Sequence, residues 1–171
     1  MTIRELLLSE ISKRHTGEIA KMAKENPLIF EELWSIAVSD ELPVNWRAAW
    51  AIKGVWEKNP ELITPHLGRM RKALADINQH GVKREFLKMI SENPLPDDEG
   101  ELGILLKYCF DWLANPLEPI AVRLHSMDIL YKISKQIPEI IPELKTTIEV
   151  AMQEGSAGTV NKGRKMLKAL C

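Results

Sequence analysis

The chain has 171 residues, of which 45% are apolar and 27% are charged, and this composition is typical of a soluble globular protein rather than a disordered one. The formal net charge of −1 provides no overall attraction to nucleic acid or to anionic membranes, so only a local basic patch could support binding to either. No apolar run approaches the roughly 18 residues of a membrane span, and the N-terminal residues lack the features of a signal peptide. The two cysteines, Cys109 and Cys171, do not have the spacing of a metal or redox site. We therefore expect a cytoplasmic protein that has no membrane partner.

Helical periodicity recurs along the whole chain, and proline and glycine mark most of its breaks. The first helix is predicted over residues 2–12, and the second begins after Thr16 as its N-cap and ends at Asn26 before Pro27. The other predicted helices span residues 28–38, 44–59, 61–77, 78–93, 101–114, 120–136, 138–154 and 159–170. No segment has the alternating pattern of a strand, so the sequence predicts an all-α fold.

The predicted helix over residues 44–59 is amphipathic and contains three of the five tryptophans. Its apolar residues gather on one broad side when they are placed 100° apart, with Asn45 and Arg47 at the flanks. Trp46 and Trp50 lie one turn apart on a different side, together with Lys53 and Glu57, which places both indoles at the periphery of the core. The remaining tryptophans, Trp34, Trp56 and Trp112, are expected to pack in the core.

An internal repeat appears when the helix-ending prolines are aligned. Pro27, Pro60, Pro94 and Pro138 are 33, 34 and 44 residues apart. The positions eight residues before each proline are all apolar, and so are the positions five residues before it. They are Ile19, Ile52, Phe86 and Leu130 in the first column and Met22, Val55, Met89 and Ile133 in the second. A period of this length with two helices per unit predicts an α-helical solenoid.

The repeat also resembles a known family. HEAT repeats are similar to the stretch in which Val122-Arg123 is followed by Ile129-Leu130 and then by the segment PEIIPEL. The segment PELITPHL, which begins at Pro60, resembles PEIIPEL. The resemblance implies an armadillo-like α-α superhelix of about four to five HEAT-like helical hairpins, with one concave side that binds partners. Similar units cover residues 16–154, the two ends read as caps, and we expect residues 1–171 to form a single domain.

No catalytic constellation is found in the sequence. The four histidines are His15, His66, His80 and His125, and they lie on separate predicted helices without the i, i+4 spacing of a helical metal site. The segment Gly155 to Thr159 lacks the spacing of a phosphate-binding loop and is interpreted as a flexible turn. We therefore expect no metal, no cofactor and no catalytic residue.

Two functional hypotheses follow. The first is a non-enzymatic scaffold that binds another protein through one face, with Trp46, Trp50, Lys53 and Arg84 as the candidate partner-binding residues, because tryptophan is enriched at interface hot spots. For the two tryptophans, a packed edge contact with the adjacent repeat is the alternative to an exposed ridge.

The second hypothesis is a nucleic-acid-binding protein or a DNA glycosylase with a HEAT-like fold. It rests on three basic clusters, Arg69, Arg71 and Lys72; Lys83, Arg84 and Lys88; and Lys162, Arg164, Lys165 and Lys168. It also rests on a faint resemblance of residues 45–50 and of Asp111-Trp112 to alkylpurine DNA glycosylases. The alternative for these basic clusters is a set of solvated helix faces.

Overall fold

A computed structural model describes residues 1–171, and all of its regular elements are helical, which confirms the all-α prediction. The α-helices are α1 (Ile3–Ser9), α2 (Lys13–Glu25), α3 (Pro27–Ala37), α4 (Val44–Lys58), α5 (Leu67–Ala73), α6 (His80–Ser91), α7 (Glu99–Ala114), α8 (Ile120–Gln136), α9 (Ile141–Gln153) and α10 (Ala157–Ala169). The chain divides into two compact units, Met1–Met89 and Ile90–Cys171. The single-domain organisation expected from the sequence stays a prediction.

The boundary between α1 and α2 differs from the sequence prediction. Helix α1 ends at Ser9, and the Ser12 hydroxyl accepts a hydrogen bond from the amide of His15 at 3.1 Å, so Ser12 is the N-cap of α2. Thr16, the predicted N-cap, is buried inside α2, where its hydroxyl donates to the carbonyl of Ser12. The prediction was wrong here because serine and threonine are both good caps, and sequence alone does not decide between two candidates four residues apart.

The single helix predicted over residues 61–77 was also wrong. The chain instead forms two 3-10 turns, Pro60–Leu62 and Thr64–His66, before α5 begins at Leu67. The reason is Pro65, which has no N–H and therefore cannot donate the hydrogen bond that would continue an α-helix from its first turn. The related segment after α8 behaves in the same way, since the 3-10 turn Pro138–Ile140 precedes α9.

The first unit is built from two layers of helices. Helix α1 packs on α3 and α2 packs on α4, and each of the first three helices also packs on the next. Helix α5 joins α3 through Arg69, whose guanidinium donates two hydrogen bonds to the Glu31 carboxylate. Helix α6 joins α4 where Gly81 lies against Trp46. The odd-numbered helices therefore form one layer and the even-numbered helices form the other.

The second unit repeats this arrangement with four helices. Helix α7 pairs with α8 and α9 pairs with α10, while α7 also packs on α9 and α8 on α10. Asp98 and Ser156 cap α7 and α10 by accepting backbone N–H bonds. This layered packing of successive pairs confirms that the chain is a helical repeat.

The repeat columns account for much of the core. All four residues of the first column are buried, and so are three of the second, whereas Met22 is 37% exposed. One position later, Ala23 is buried instead. Helix α2 is the first helix of its layer, and the side that it buries is rotated slightly from the buried side of α4, α6 and α8. None of the helices combines the length and the apolar character needed to cross a membrane.

Candidate partner-binding surface

The two predicted surface tryptophans form a stacked pair on α4. The ring centroids of Trp46 and Trp50 are 6.3 Å apart with an angle of 27° between the ring planes. Both side chains are half-buried. A Cβ atom added to Gly81 of α6 would lie 2.7 Å from the Cβ of Trp46, so the backbones of α4 and α6 approach closely at this point. Trp46 is thus an edge contact with the adjacent repeat that keeps part of its indole accessible.

Trp50 lies on the other side of the pair, towards the corner between α1 and α2. It lines a small cleft with Ile11, His15 and Ile19. Arg47 closes this corner, because its Nη1 donates to the carbonyl of Leu7 at 2.8 Å, and its guanidinium lies 5.6 Å from the Trp46 ring centroid. The two indoles are therefore held in place from both sides.

The two predicted cations of the surface, Lys53 and Arg84, are joined by a carboxylate that sequence reasoning missed. Lys53 Nζ lies 3.0 Å from Glu85 Oε2, and Arg84 Nη2 lies 3.0 Å from Glu85 Oε1. The Glu85 side chain is only 4% exposed, whereas Glu57, whose carboxylate is 3.7 Å from Lys53 Nζ, is about half exposed. The pattern around Glu85 gave no signal of burial, because a glutamate flanked by arginine in a charged segment ordinarily faces solvent.

The four predicted residues therefore lie on two neighbouring helices of the same unit. Trp46 and Trp50 contact each other, and Lys53 and Arg84 share one buried carboxylate. Together with Glu57 they are called the tryptophan face below. Its side chains are fixed by stacking and ion pairs, so the surface is preorganised to meet a partner with little further loss of side-chain entropy.

The other three tryptophans differ in burial. Trp112 is buried, as expected of a core residue. Trp34 and Trp56 are half-buried, and Trp34 stacks on Phe86 with a centroid distance of 5.4 Å while the guanidinium carbon of Arg69 lies 4.2 Å from its ring centroid. These two residues lie at the edge of the core rather than in it.

The basic clusters predicted from the sequence are partly neutralised or buried, whereas Lys72, Arg164, Lys165 and Lys168 are exposed. Arg69 makes a bidentate pair with Glu31, and this bond, opposed by partial burial, holds the pKa of Glu31 below its usual value. Arg71 and Lys83 are buried, and Lys162 Nζ lies 2.5 Å from Asp128 Oδ2. Within each unit, these contacts reduce the charge that the clusters could offer to a phosphate backbone.

The positions that resemble a glycosylase are engaged in structural roles. Asn45, expected at the flank of α4, is buried, and its amide donates to the carbonyl of Ser39 at 3.2 Å while its Oδ1 accepts from the amide of Trp46. Asp111 is exposed and pairs with Lys107 at 3.4 Å. Asn45 is buried because its side chain binds backbone groups at the start of α4, which is a role that the helical periodicity does not reveal.

Among the histidines, His15 lines the small cleft beside Trp50. Burial lowers the pKa of His66, which stacks on Phe30 with a centroid distance of 4.5 Å, and the nearby Arg69 lowers it further. Burial raises the pKa of the Cys109 thiol to about 12, and Cys171 is exposed. No group of three or more histidine, cysteine, aspartate or glutamate side chains is arranged to hold a metal ion.

Comparison with known proteins identifies one family. A family model described as the HEAT repeat domain matches residues 3–170. No curated protein and no solved structure matches the chain.

Proposed function

Because the chain belongs to the HEAT repeat domain family, whose members are helical repeat scaffolds, we propose that it is a non-enzymatic scaffold that binds another protein through the tryptophan face. The observation that carries the proposal is the stacked pair of Trp46 and Trp50. Tryptophan is among the residues that are enriched at interface hot spots, and these two rings are held in place by their neighbours. The scaffold acts in the cytoplasm, which accords with a free buried thiol and a free exposed thiol.

The charged residues of the face support binding rather than catalysis. Glu85 already holds two cations and is covered by them, so its carboxylate has no open position for a substrate proton. Glu57 is exposed and lies beside Lys53 only. These charges are suited to setting the orientation of a partner and the rate of association.

Site-specific photo-crosslinking in cells tests the proposal. A benzoylphenylalanine placed at position 57 of the full chain should form a cross-link to a second protein, because Glu57 is an exposed residue of the tryptophan face, next to Lys53. The same group at position 32, an exposed glutamate on α3 in the opposite layer, is the matched control and should give no such product.

The substitution Trp50→Ala in the position-57 variant should remove the cross-link while circular dichroism still shows a folded helical protein. A cross-link that forms equally well at positions 32 and 57, or that survives the loss of Trp50, would count against the tryptophan face. Turnover of a substrate that disappeared on a single polar substitution would count against a non-enzymatic role.

A further inference from the structure

A groove of about 550 Å³ lies between α2 and α4 in the first unit. Five cationic side chains line it, and none belongs to the basic clusters identified in the sequence. They are Lys13, Arg14, Lys21, Lys24 and Lys58. The sequence gives no obvious sign of this arrangement, because four of the residues are spread along α2 and the fifth comes from the end of α4.

The cations of this groove are exposed and have no ion pair within the chain. Glu18 is the only carboxylate in the lining, and it lies 3.9 Å from His15 Nδ1. The five cations and one carboxylate leave a net charge of +4 in the lining. This contrasts with the paired Lys53 and Arg69 elsewhere in the same unit. The groove is therefore complementary in charge to an anionic ligand.

Two glycines line the groove. A Cβ on Gly54 would lie 3.1 Å from the Cβ of Ala20, so close packing of α2 on α4 favours glycine there. A Cβ on Gly17 would meet nothing within 4 Å, so packing within the chain does not account for this glycine. A glycine inside a helix is less stable than alanine. Gly17 thus keeps space open in the groove, although glycine makes α2 less stable than alanine would.

An apolar pocket of about 150 Å³ adjoins the groove and shares Lys24 and Val55 with it. Phe30, Leu62 and His66 contribute to its wall. A pocket of this size and lining is suited to a single apolar side chain. Glu31 also lines this pocket, and its carboxylate is already held by Arg69.

We propose that this groove binds an acidic segment of a partner protein, with one apolar side chain of that segment in the adjoining pocket. The proposal rests on the proposed scaffold function and assigns the chemistry of the partner. From Lys13 to Lys24 the groove extends about 16 Å along α2, which matches about five residues of extended peptide. The combination of unpaired cations with an apolar pocket favours a peptide over a nucleic acid.

Fluorescence anisotropy with the full chain and labelled probes tests the proposal. The first probe is a seven-residue peptide of glutamates with a central leucine, and it should bind. Replacing its leucine by glycine should weaken binding by about fivefold, and replacing its glutamates by glutamines should abolish it. A 16-base-pair DNA duplex and an eight-nucleotide single strand are the competing probes.

Three variants of the protein locate the site. Lys21→Glu with Lys24→Glu should weaken binding by about tenfold or more, because two attractions become repulsions. Lys165→Glu with Lys168→Glu, two exposed lysines of α10, changes the net charge equally and should have little effect. Gly17→Ala leaves the charge unchanged, and it should weaken binding several-fold while raising the melting temperature by about 2 to 4 °C.

The outcomes separate the two proposals. Three results would each overturn the acidic-segment proposal. The acidic peptide does not bind, or the two charge-reversal variants have equal effects. In the third, either DNA binds more tightly than the peptide and its binding is weakened by the change at Lys21 and Lys24. If the cross-link at position 57 persists in any of these cases, the scaffold function stands without this groove. If that cross-link does not form, the tryptophan face is not the binding surface, and the peptide measurements then test the groove alone.

Discussion

The close contact between Gly81 and Trp46 predicts that Gly81→Ala destabilises the protein. Gly17→Ala, at a helix position with open space around it, should instead stabilise it. At Gly81 the added methyl would lie 2.7 Å from Trp46 Cβ and 3.0 Å from Gln79 Oε1, and this oxygen accepts a hydrogen bond from the amide of Val82. Overpacking of this kind costs about 1 to 3 kcal/mol. The gain in helix propensity is small, because Gly81 is the second residue of α6. We expect Gly81→Ala to lower the free energy of unfolding by about 2 kcal/mol.

Gly17→Ala is the matched comparison and should raise the free energy of unfolding by up to about 1 kcal/mol, because its methyl meets no atom within 4 Å. Urea unfolding followed by tryptophan fluorescence measures both, since four of the five tryptophans lie in the first unit. If Gly81→Ala proved as stable as the parent protein or as Gly17→Ala, the close approach of α4 and α6 would be wrong.

A double-mutant cycle locates the clash on one atom. Trp46→Ala retains the Cβ that the new methyl meets, so Gly81→Ala should remain destabilising in that background. Trp46→Gly removes the Cβ, and the loss of stability caused by Gly81→Ala should then decrease by about 1 kcal/mol or more. Losses that were equal in the two backgrounds and smaller than in the parent would mean that the indole, rather than the Cβ, limits the approach. Losses equal to that in the parent would assign the cost to Gln79.

Two further predictions concern charged groups of the first unit. Glu85→Gln should lower the free energy of unfolding by about 1 to 3 kcal/mol, because Lys53 loses a buried partner, whereas Glu57→Gln should change it by less than about 0.5 kcal/mol. Equal urea midpoints for these two variants would contradict the difference in burial. The pKa of His66 is lower in the folded than in the unfolded chain, so stability is present above the unfolded pKa of about 6.5 and is lost as pH falls below it towards the folded pKa. His66→Phe, which keeps an aromatic ring against Phe30, should flatten the dependence of stability on pH from 7 to 5, and an unchanged dependence would assign it to another group.

The sequence predicts this fold well where helix ends are dictated by local chemistry. Asn26 before Pro27 and Asn59 before Pro60 end α2 and α4 as predicted, because a proline cannot donate to the preceding turn and constrains the residue before it. Helix α8 begins and ends at the predicted residues. By contrast, the competing caps Ser12 and Thr16 differ only in tertiary context, which local patterns do not contain.

The candidate site is only partly predictable for the same reason. The periodicity of α4 separates Trp46 and Trp50 from the apolar side, and the structure places both at the boundary between core and solvent. The burial of Glu85 depends on where Lys53 of another helix lies, so a pattern confined to α6 cannot reveal it. The cations of the groove become neighbours only when α2 packs beside α4, and glycine at position 54 favours that approach because a Cβ there would lie 3.1 Å from the Cβ of Ala20.

The packing of α4 explains why the residues on its outer strip, the side that carries Trp50 and Glu57, can determine which partner binds. Helices α2, α3 and α6 pack on three of its sides, and its apolar columns are fixed by these contacts. Any repeat of this kind needs those columns, so they carry the fold and cannot distinguish one partner from another. Trp50 and Glu57 lie outside them. On the α6 side of the strip the cations are already paired with Glu85, whereas on the α2 side they are unpaired. Attraction of an acidic partner should therefore depend on the α2 side and rise at low salt, while the rigid indoles should determine how long the complex lasts.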